Sequence, residues 1–265
     1  MPFVSLEGGK VHYMERGAGE EVALLVHGWL SSSRWWLPLL DRLPRGVRAY
    51  AVDLRGAGES DPAAGAHTLA GYAEDLHAFV QALGLRSFLL VGHSMGGGVA
   101  LRYAMDYPDR LKGLMLVNPL APFGTRTDPE LDAWVRAQHG NPDGIRAMVQ
   151  MAFATPPAPE VVEALVADAL RWGSAAYSET LDDMARFDVT RRLSELRVPT
   201  LVLWGDRDVV IPFRGIVELF TGIPTCGLEV WHGVGHSPVL ECPAEFSELF
   251  ARFLSELPEG PGNSG

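Results

Sequence analysis

The sequence predicts an α/β protein with a mostly parallel central sheet, helices on both faces and one helical insertion. Three observations predict it. Short apolar runs recur along the chain, several nearly continuous in Val, Leu and Ile, which is the pattern of strands buried on both faces. Segments of helical periodicity alternate with those runs. One long stretch, Leu120 to Leu196, has helical signals and no strand signal.

The chain opens as a hairpin. Val4 and Leu6 alternate with polar neighbours, Glu7-Gly8-Gly9 turns, and Lys10–Glu15 returns. Buried strands are expected at Val22–Val26, Val47–Val52, Phe88–Val91, Leu114–Val117, Thr200–Trp204 and Leu228–Trp231. Helices are expected over Leu69–Leu83, with Tyr72, Leu76, Phe79, Val80 and Leu83 on one face, and over Pro243–Leu257, with Phe246, Leu249, Phe250, Phe253 and Leu254. Inside the strand-free stretch, helices are expected after Asp128-Pro129 and Asn141-Pro142, a cap residue followed by proline at the first helical position. A third follows the breaker Thr155–Pro159, and a fourth covers Ala175–Phe187. A crossover between parallel strands needs only about a dozen residues. Residues 120–196 are therefore expected to form a cap inserted between core segments 1–119 and 197–257. The apolar cap residues Trp134, Met148, Met151, Phe153 and Trp172 are expected to serve packing. Residues 258–265, PEGPGNSG, read as a disordered tail.

Composition narrows the function. The 265 residues are 47% hydrophobic, enough for one large core. Asp and Glu number 33 against 22 Lys and Arg, a formal net charge of −11. An acidic surface repels phosphate backbones, so nucleic acid is not an expected partner. Met1–Lys10 lacks a basic start followed by an apolar stretch, and no apolar run is long enough to span a bilayer. No membrane association and a cytoplasmic location are the expectations. Cys226 and Cys242 do not suggest a disulfide framework and are read as two inert thiols. The sequence assigns no oligomeric state.

The chemistry concentrates at Phe88-Leu89-Leu90-Val91-Gly92-His93-Ser94-Met95-Gly96-Gly97-Gly98, which reads strand, sharp turn, helix. Within a helix each glycine would cost about 1 kcal/mol against alanine, so helix propensity does not explain them. Gly92-x-Ser94-x-Gly96 matches the elbow that presents a nucleophilic serine above a sheet, with glycines where side chains would collide. The helix that follows favours developing negative charge at its start, and the Met95 N–H is a candidate oxyanion donor. The strand Val22–Val26 runs into His27-Gly28-Trp29, and the Trp29 N–H is a candidate second donor. His27 is read as a brace for that loop, and the Trp29 indole is expected in the pocket.

A serine nucleophile needs a base. Of the eight histidines, His12, His67, His77 and His139 have no evident chemical neighbours in sequence. His232-Gly233-Val234-Gly235-His236 places two in a glycine loop between a strand and the last helix. Glycines do not hold that spacing as a helix, and no Glu follows the first His as zincins require, so no metal is expected. His236 is the candidate base. An acid between serine and histidine in chain order is supplied by Asp206 or Asp208, both after the Thr200–Trp204 strand. Asp206 suits a turn-forming role that bonds local backbone.

With these markers the chain resembles the cap-bearing α/β-hydrolases over nearly its whole length. The resemblance rests on His27-Gly28-Trp29, Asp53-Leu54-Arg55-Gly56-x-Gly58-x-Ser60, Gly92-His93-Ser94-Met95-Gly96-Gly97, Phe187-Asp188-Val189, Val198–Trp204 with Gly205-x-x-Asp208, and Gly235-His236 with Glu241-x-Pro243. It implies a Ser94–His236–Asp208 triad, with oxyanion donors on Trp29 and Met95 and no cofactor. Ser94 departs from the haloalkane dehalogenase and epoxide hydrolase branches, which carry Asp at the elbow. His27-Gly28-Trp29-Leu30 and His93 depart from the carbon–carbon bond hydrolases. What remains is similar to small carboxylesterases, pimeloyl-carrier-protein methyl ester esterases, lactonases and perhydrolase or haloperoxidase-like enzymes. The expected substrate is a small-molecule ester of small to medium size. The alternatives are a hydrolase-derived small-ligand receptor and an acyltransferase.

Overall fold

The computed structural model describes residues 2–62, 65–125 and 128–258; apart from Pro258, the tail expected over 258–265 lies outside them. β1 (Phe3–Leu6) and β2 (Gly9–Gly17) form the hairpin, with Phe3 opposite His12. β2 lies antiparallel to β4 (Val47–Val52). From there the sheet is parallel, through β3 (Glu21–Val26), β5 (Phe88–His93), β6 (Leu111–Val117), β7 (Thr200–Gly205) and β8 (Cys226–Trp231). The described residues give an eight-stranded sheet in the order β1-β2-β4-β3-β5-β6-β7-β8.

The helices are α1 (Leu37–Leu40), α2 (Leu69–Ala82), α3 (Met95–Asp106), α4 (Pro129–Ala137), α5 (Pro142–Met151), α6 (Pro159–Ala169), α7 (Ser174–Arg186), α8 (Phe213–Gly222), α9 (Pro238–Glu241) and α10 (Pro243–Glu256). Asp128 accepts the N–H groups of Glu130 and Leu131, and Asn141 accepts that of Asp143, so the expected caps set the starts of α4 and α5.

The central strands are buried on both sides, as their apolar runs require; the expectation fails for β8, an edge strand with no buried residue. Leu24 and Val26 of β3 and Leu90 of β5 pack with Leu76, Phe79 and Leu101 of α2 and α3. Their neighbours Ala23, Leu25, Leu89 and Val91 point the other way, onto Trp36, Leu39, Phe246 and Phe250 around α1 and α10. Each large side chain buried this way stabilises the fold by about 1.5–3 kcal/mol relative to exposure.

Between β6 and β7 the four expected helices α4–α7 appear, followed by a 3-10 segment at Thr190–Glu195, with no strand among the described residues. Ile145, Val162, Val166, Ala169 and Tyr177 form their own small cluster, which closes on Trp29 and Leu30. The packing expectation holds for Trp172 and Phe153, which are buried. It fails for Trp134 and Met151, which are 39% and 48% exposed. α4, which carries Trp134, buries none of its residues.

Topology places the site. The chain moves outward from β3 to β4 and then returns past β3 to β5. This reversal puts the carboxyl ends of β3 and β5 at the switch point of the sheet, the position where open α/β sheets receive ligands. β3 ends at Val26 and β5 at His93.

None of the described helices is long and apolar enough to cross a membrane.

Candidate active site

Ser94 sits between β5 and α3 with φ 54° and ψ −123°, a backbone conformation that L residues rarely adopt. The elbow is held by main-chain bonds. Ser94 N donates to Val117 O at 3.0 Å, and Ser94 O accepts from Gly97 N and Leu120 N, each at 2.8 Å. A Cβ on Gly92 would fall 2.3 Å from Gly96 O, and one on Gly96 would fall 2.4 Å from His27 O. The glycines thus let the turn close on itself and seat it against the end of β3. The first collision was expected from sequence; the second needs the β3–β5 pairing to be seen.

The loop after β3 passes over the serine. A Cβ on Gly28 would lie 3.0 Å from Ser94 Cβ and 3.1 Å from His93 Nδ1. His27 braces this loop as expected. Its Nε2 accepts the Leu54 N–H at 3.1 Å, which leaves Nδ1 protonated to donate to Gly28 O at 2.7 Å. Burial lowers the His27 pKa. Trp29 follows directly, and its indole packs on Tyr177 with ring centroids 4.8 Å apart. Met95 is the first residue of α3, so its N–H has no acceptor within the helix.

Across the strand ends, His236 Nδ1 lies 2.8 Å from Asp208 Oδ2. The Asp208 side chain is fully shielded, and that of His236 is 6% exposed. Asp208 Oδ2 also accepts from Asn118 Nδ2 at 2.6 Å, while Oδ1 accepts the N–H groups of Val210 at 2.7 Å and Ile211 at 3.0 Å. Burial alone would push this carboxyl up. The neighbouring His236, with the Asn118 and Ile211 bonds, holds it below the usual carboxylate range.

The elbow and the histidine loop are tied to each other. His93 Nε2 donates to His236 O at 2.8 Å, and the two rings lie 4.8 Å apart. Trp35 also stacks on His93, with ring centroids 4.6 Å apart. Burial and the adjacent His236 hold the His93 pKa well below the usual histidine range.

The two aspartates have exchanged the details expected of them. Asp206 bonds no local backbone; its carboxylate meets His232 Nδ1 at 2.9 Å and accepts the Gly233 N–H at 2.7 Å. It leaves β7 beside the end of β8, so the nearest donors belong to the loop after β8. Asp208 makes the local turn bonds itself, with one oxygen, and shares the other between His236 and Asn118. His12 also has a partner that was not foreseen, Asp53, 2.7 Å from its Nδ1. Asn118 was missed: its only sequence signal is that it ends the apolar run of β6, and its bond to Asp208 spans 90 positions.

Among the described residues no group of three or more His, Cys, Asp or Glu is placed to hold a metal ion. Cys226 and Cys242 are both free thiols, and burial pushes that of Cys226 up to about 12.

A family model described as serine aminopeptidase, S33, matches residues 18–243. The chain belongs to this family. Its fold is the α/β-hydrolase fold, shared with an esterase from Exiguobacterium antarcticum at a TM-score of 0.89 and 26% identity, covering 96% of this chain and 98% of the other. A thermophilic esterase from Thermogutta terrifontis superposes at 0.84 with 29% identity, covering 96% and 98%. In sequence the chain is similar to monoacylglycerol lipase abhd6-B of Xenopus laevis, 26% identical over 94% of this chain and 80% of that one.

Proposed function

We propose that the protein is a serine esterase that cleaves uncharged or weakly charged, small to medium carboxylic esters through an acyl-enzyme. One observation carries this: a shielded Asp208–His236 pair, tied through His93 to the loop that presents Ser94 on a strained turn. His236 Nε2 takes the Ser94 proton as the hydroxyl attacks the ester carbonyl, then gives it to the leaving alcohol. Asp208 holds the imidazole in the Nδ1–H tautomer and stabilises the imidazolium. The N–H groups of Met95 and Trp29 receive the oxyanion, aided by the start of α3. Water activated by His236 then releases the acid. No step draws on a metal or organic cofactor.

Residues 120–196 act as the cap of this site, with segments 1–119 and 197–257 as its core. Support comes from the apolar cluster of α5–α7 closing on Trp29 and Leu30, and from Ser32 Oγ donating to Asp168 at 2.6 Å and Trp172 Nε1 to Ser31 O at 3.0 Å. The two free thiols fit a reducing, cytoplasmic compartment.

The relatives named esterases and a monoacylglycerol lipase support ester chemistry, whereas the family description names a peptidase. Asp208 is committed through both oxygens and is not free to receive a substrate ammonium. A panel of p-nitrophenyl esters, methyl esters, lactones and aminoacyl p-nitroanilides separates the readings. Fastest turnover is expected on short to medium esters. Preference for the anilides, or for long-chain emulsified triglycerides, would overturn the proposed substrate class.

A further inference from the structure

One carboxylate ties the backbone on both sides of His236 to the helical insertion. Glu241 ends the short helix α9, and its two oxygens serve two different parts of the molecule. Oε1 accepts the N–H of Gly235 at 3.0 Å and of Ser237 at 3.3 Å, the residues on either side of His236. Oε2 accepts the N–H of Ala154 at 3.0 Å and of Thr155 at 3.3 Å, in the segment joining α5 to α6. Ser237 adds a second link, its Oγ donating to Ala152 O at 2.8 Å. The two chains meet closely enough that a Cβ on Gly235 would fall 2.5 Å from Ala154 N.

No helix or strand bond holds this contact. Ala154, Thr155, Gly235 and Ser237 lie outside regular structure, so their N–H groups depend on side-chain acceptors. A carboxylate accepts such bonds more strongly than a neutral group does, and Glu241 has enough lone pairs for all four. The backbone on both sides of the base is thereby referred to a segment of the helical insertion, 80 or more positions away in the chain.

We infer that Glu241, assisted by Ser237, is a positioning residue that makes the placement of His236 depend on the seating of segment 152–155. This rests on the reading of His236 as the general base and acid. When the segment is seated, the four N–H groups converge on Glu241 and the His236 backbone is held from both sides. When it lifts, Gly235 and Ser237 lose a shared reference and the imidazole loses its aim. Closure of the insertion over the site and completion of the catalytic geometry become one event.

The test uses kcat/KM on two esters of one acid, ethyl acetate and p-nitrophenyl acetate. A poorly aimed His236 fails most where it must protonate a strongly basic leaving alkoxide, and least where a stabilised nitrophenolate departs unaided. Glu241→Gln is expected to lower kcat/KM on ethyl acetate by about 10²-fold, the scale of a misplacement transmitted from outside the chemistry, and on p-nitrophenyl acetate by much less. Hydrogen exchange should show the amides of Ala154, Thr155, Gly235 and Ser237 losing protection together. Ser237→Ala should show the same leaving-group pattern with a smaller loss, and it carries the test if Glu241→Gln does not fold. Equal losses on the two esters, or a fall in thermal midpoint with unchanged kcat/KM, would overturn the inference. A His236→Ala variant with wild-type rates on both esters would instead sink the assignment of the base.

Discussion

Among the described residues two His-Asp pairs are buried, and the proposed function draws on only one of them. In the first, His236 meets Asp208 at 2.8 Å beside the Ser94 elbow. In the second, His12 meets Asp53 at 2.7 Å, and the Ser60 hydroxyl accepts the backbone N–H of His12 at 2.9 Å. Both carboxylates lie below the usual range despite burial. Asp53 is held there by His12, the nearby His27 and the N–H groups of Glu59 and Ser33. The difference lies in the serine. Ser60 donates its proton to Asp53 O at 2.7 Å and is buried, so its oxygen is committed to the backbone. The ring of His12 is also turned away from service, its Nε2 sealed without a partner among the described residues. Ser94 is only partly buried and stands on a strained turn at the sheet's reversal point. A His-Asp pair is therefore a structural brace by default. In the proposed function it becomes a catalytic pair because a presented hydroxyl is within reach of its free nitrogen.

That contrast is open to experiment. The largest effect belongs to the serines. Ser94→Ala should lower kcat by about 10⁶-fold and abolish fluorophosphonate labelling, while Ser60→Ala should label normally and keep kcat. Next come the acids: Asp208→Asn is expected to reduce kcat by about 10³–10⁴-fold, because the imidazole is left in the wrong tautomer. A variant within tenfold of wild type, in the order of one unit of log kcat, would remove Asp208 from the role.

The structural pair should answer in stability. Asp53→Ala leaves His12 and two backbone donors without their acceptor, a change worth about 3–5 kcal/mol where a buried pair is broken. Because the folded pKa of Asp53 is below its unfolded value, the stability it contributes is fully present above the unfolded pKa. It is lost as pH falls through the folded one. Asp53→Asn should therefore flatten the acid side of the stability curve, read as urea midpoints from neutral to acid pH. An unchanged acid slope would mean that another carboxylate carries it.

The smallest effect is expected at the third pair, His232–Asp206, where His232 is 89% exposed. Exposed ion pairs contribute about 0–1 kcal/mol. Asp206→Asn should keep most activity, and a deeper loss than that of Asp208→Asn would reverse the assignment of the acid.

Much of this was legible in the chain. The strands were found because burial on both faces leaves unbroken apolar runs, as at Leu89–Val91. The caps at Asp128 and Asn141 were found because capping is local, made within three positions. Trp134 and Met151 misled, because helical spacing tells which residues share a face and not whether anything covers that face.

What the sequence alone determined is the order of elements, the elbow around Ser94 and the identity of His236 as the late histidine. These are short-range matters of pattern, turn chemistry and spacing, which neighbouring residues decide among themselves. Only the tertiary structure decided which hydrogen bonds the aspartates make, that Asn118 backs Asp208, that His12 closes on Asp53, and that Glu241 joins the His236 loop to residues 154 and 155. Each of those contacts joins a loop to a distant segment through one polar side chain. Such a group must take whatever partner the packed chain brings within about 3 Å, and no local pattern encodes that choice.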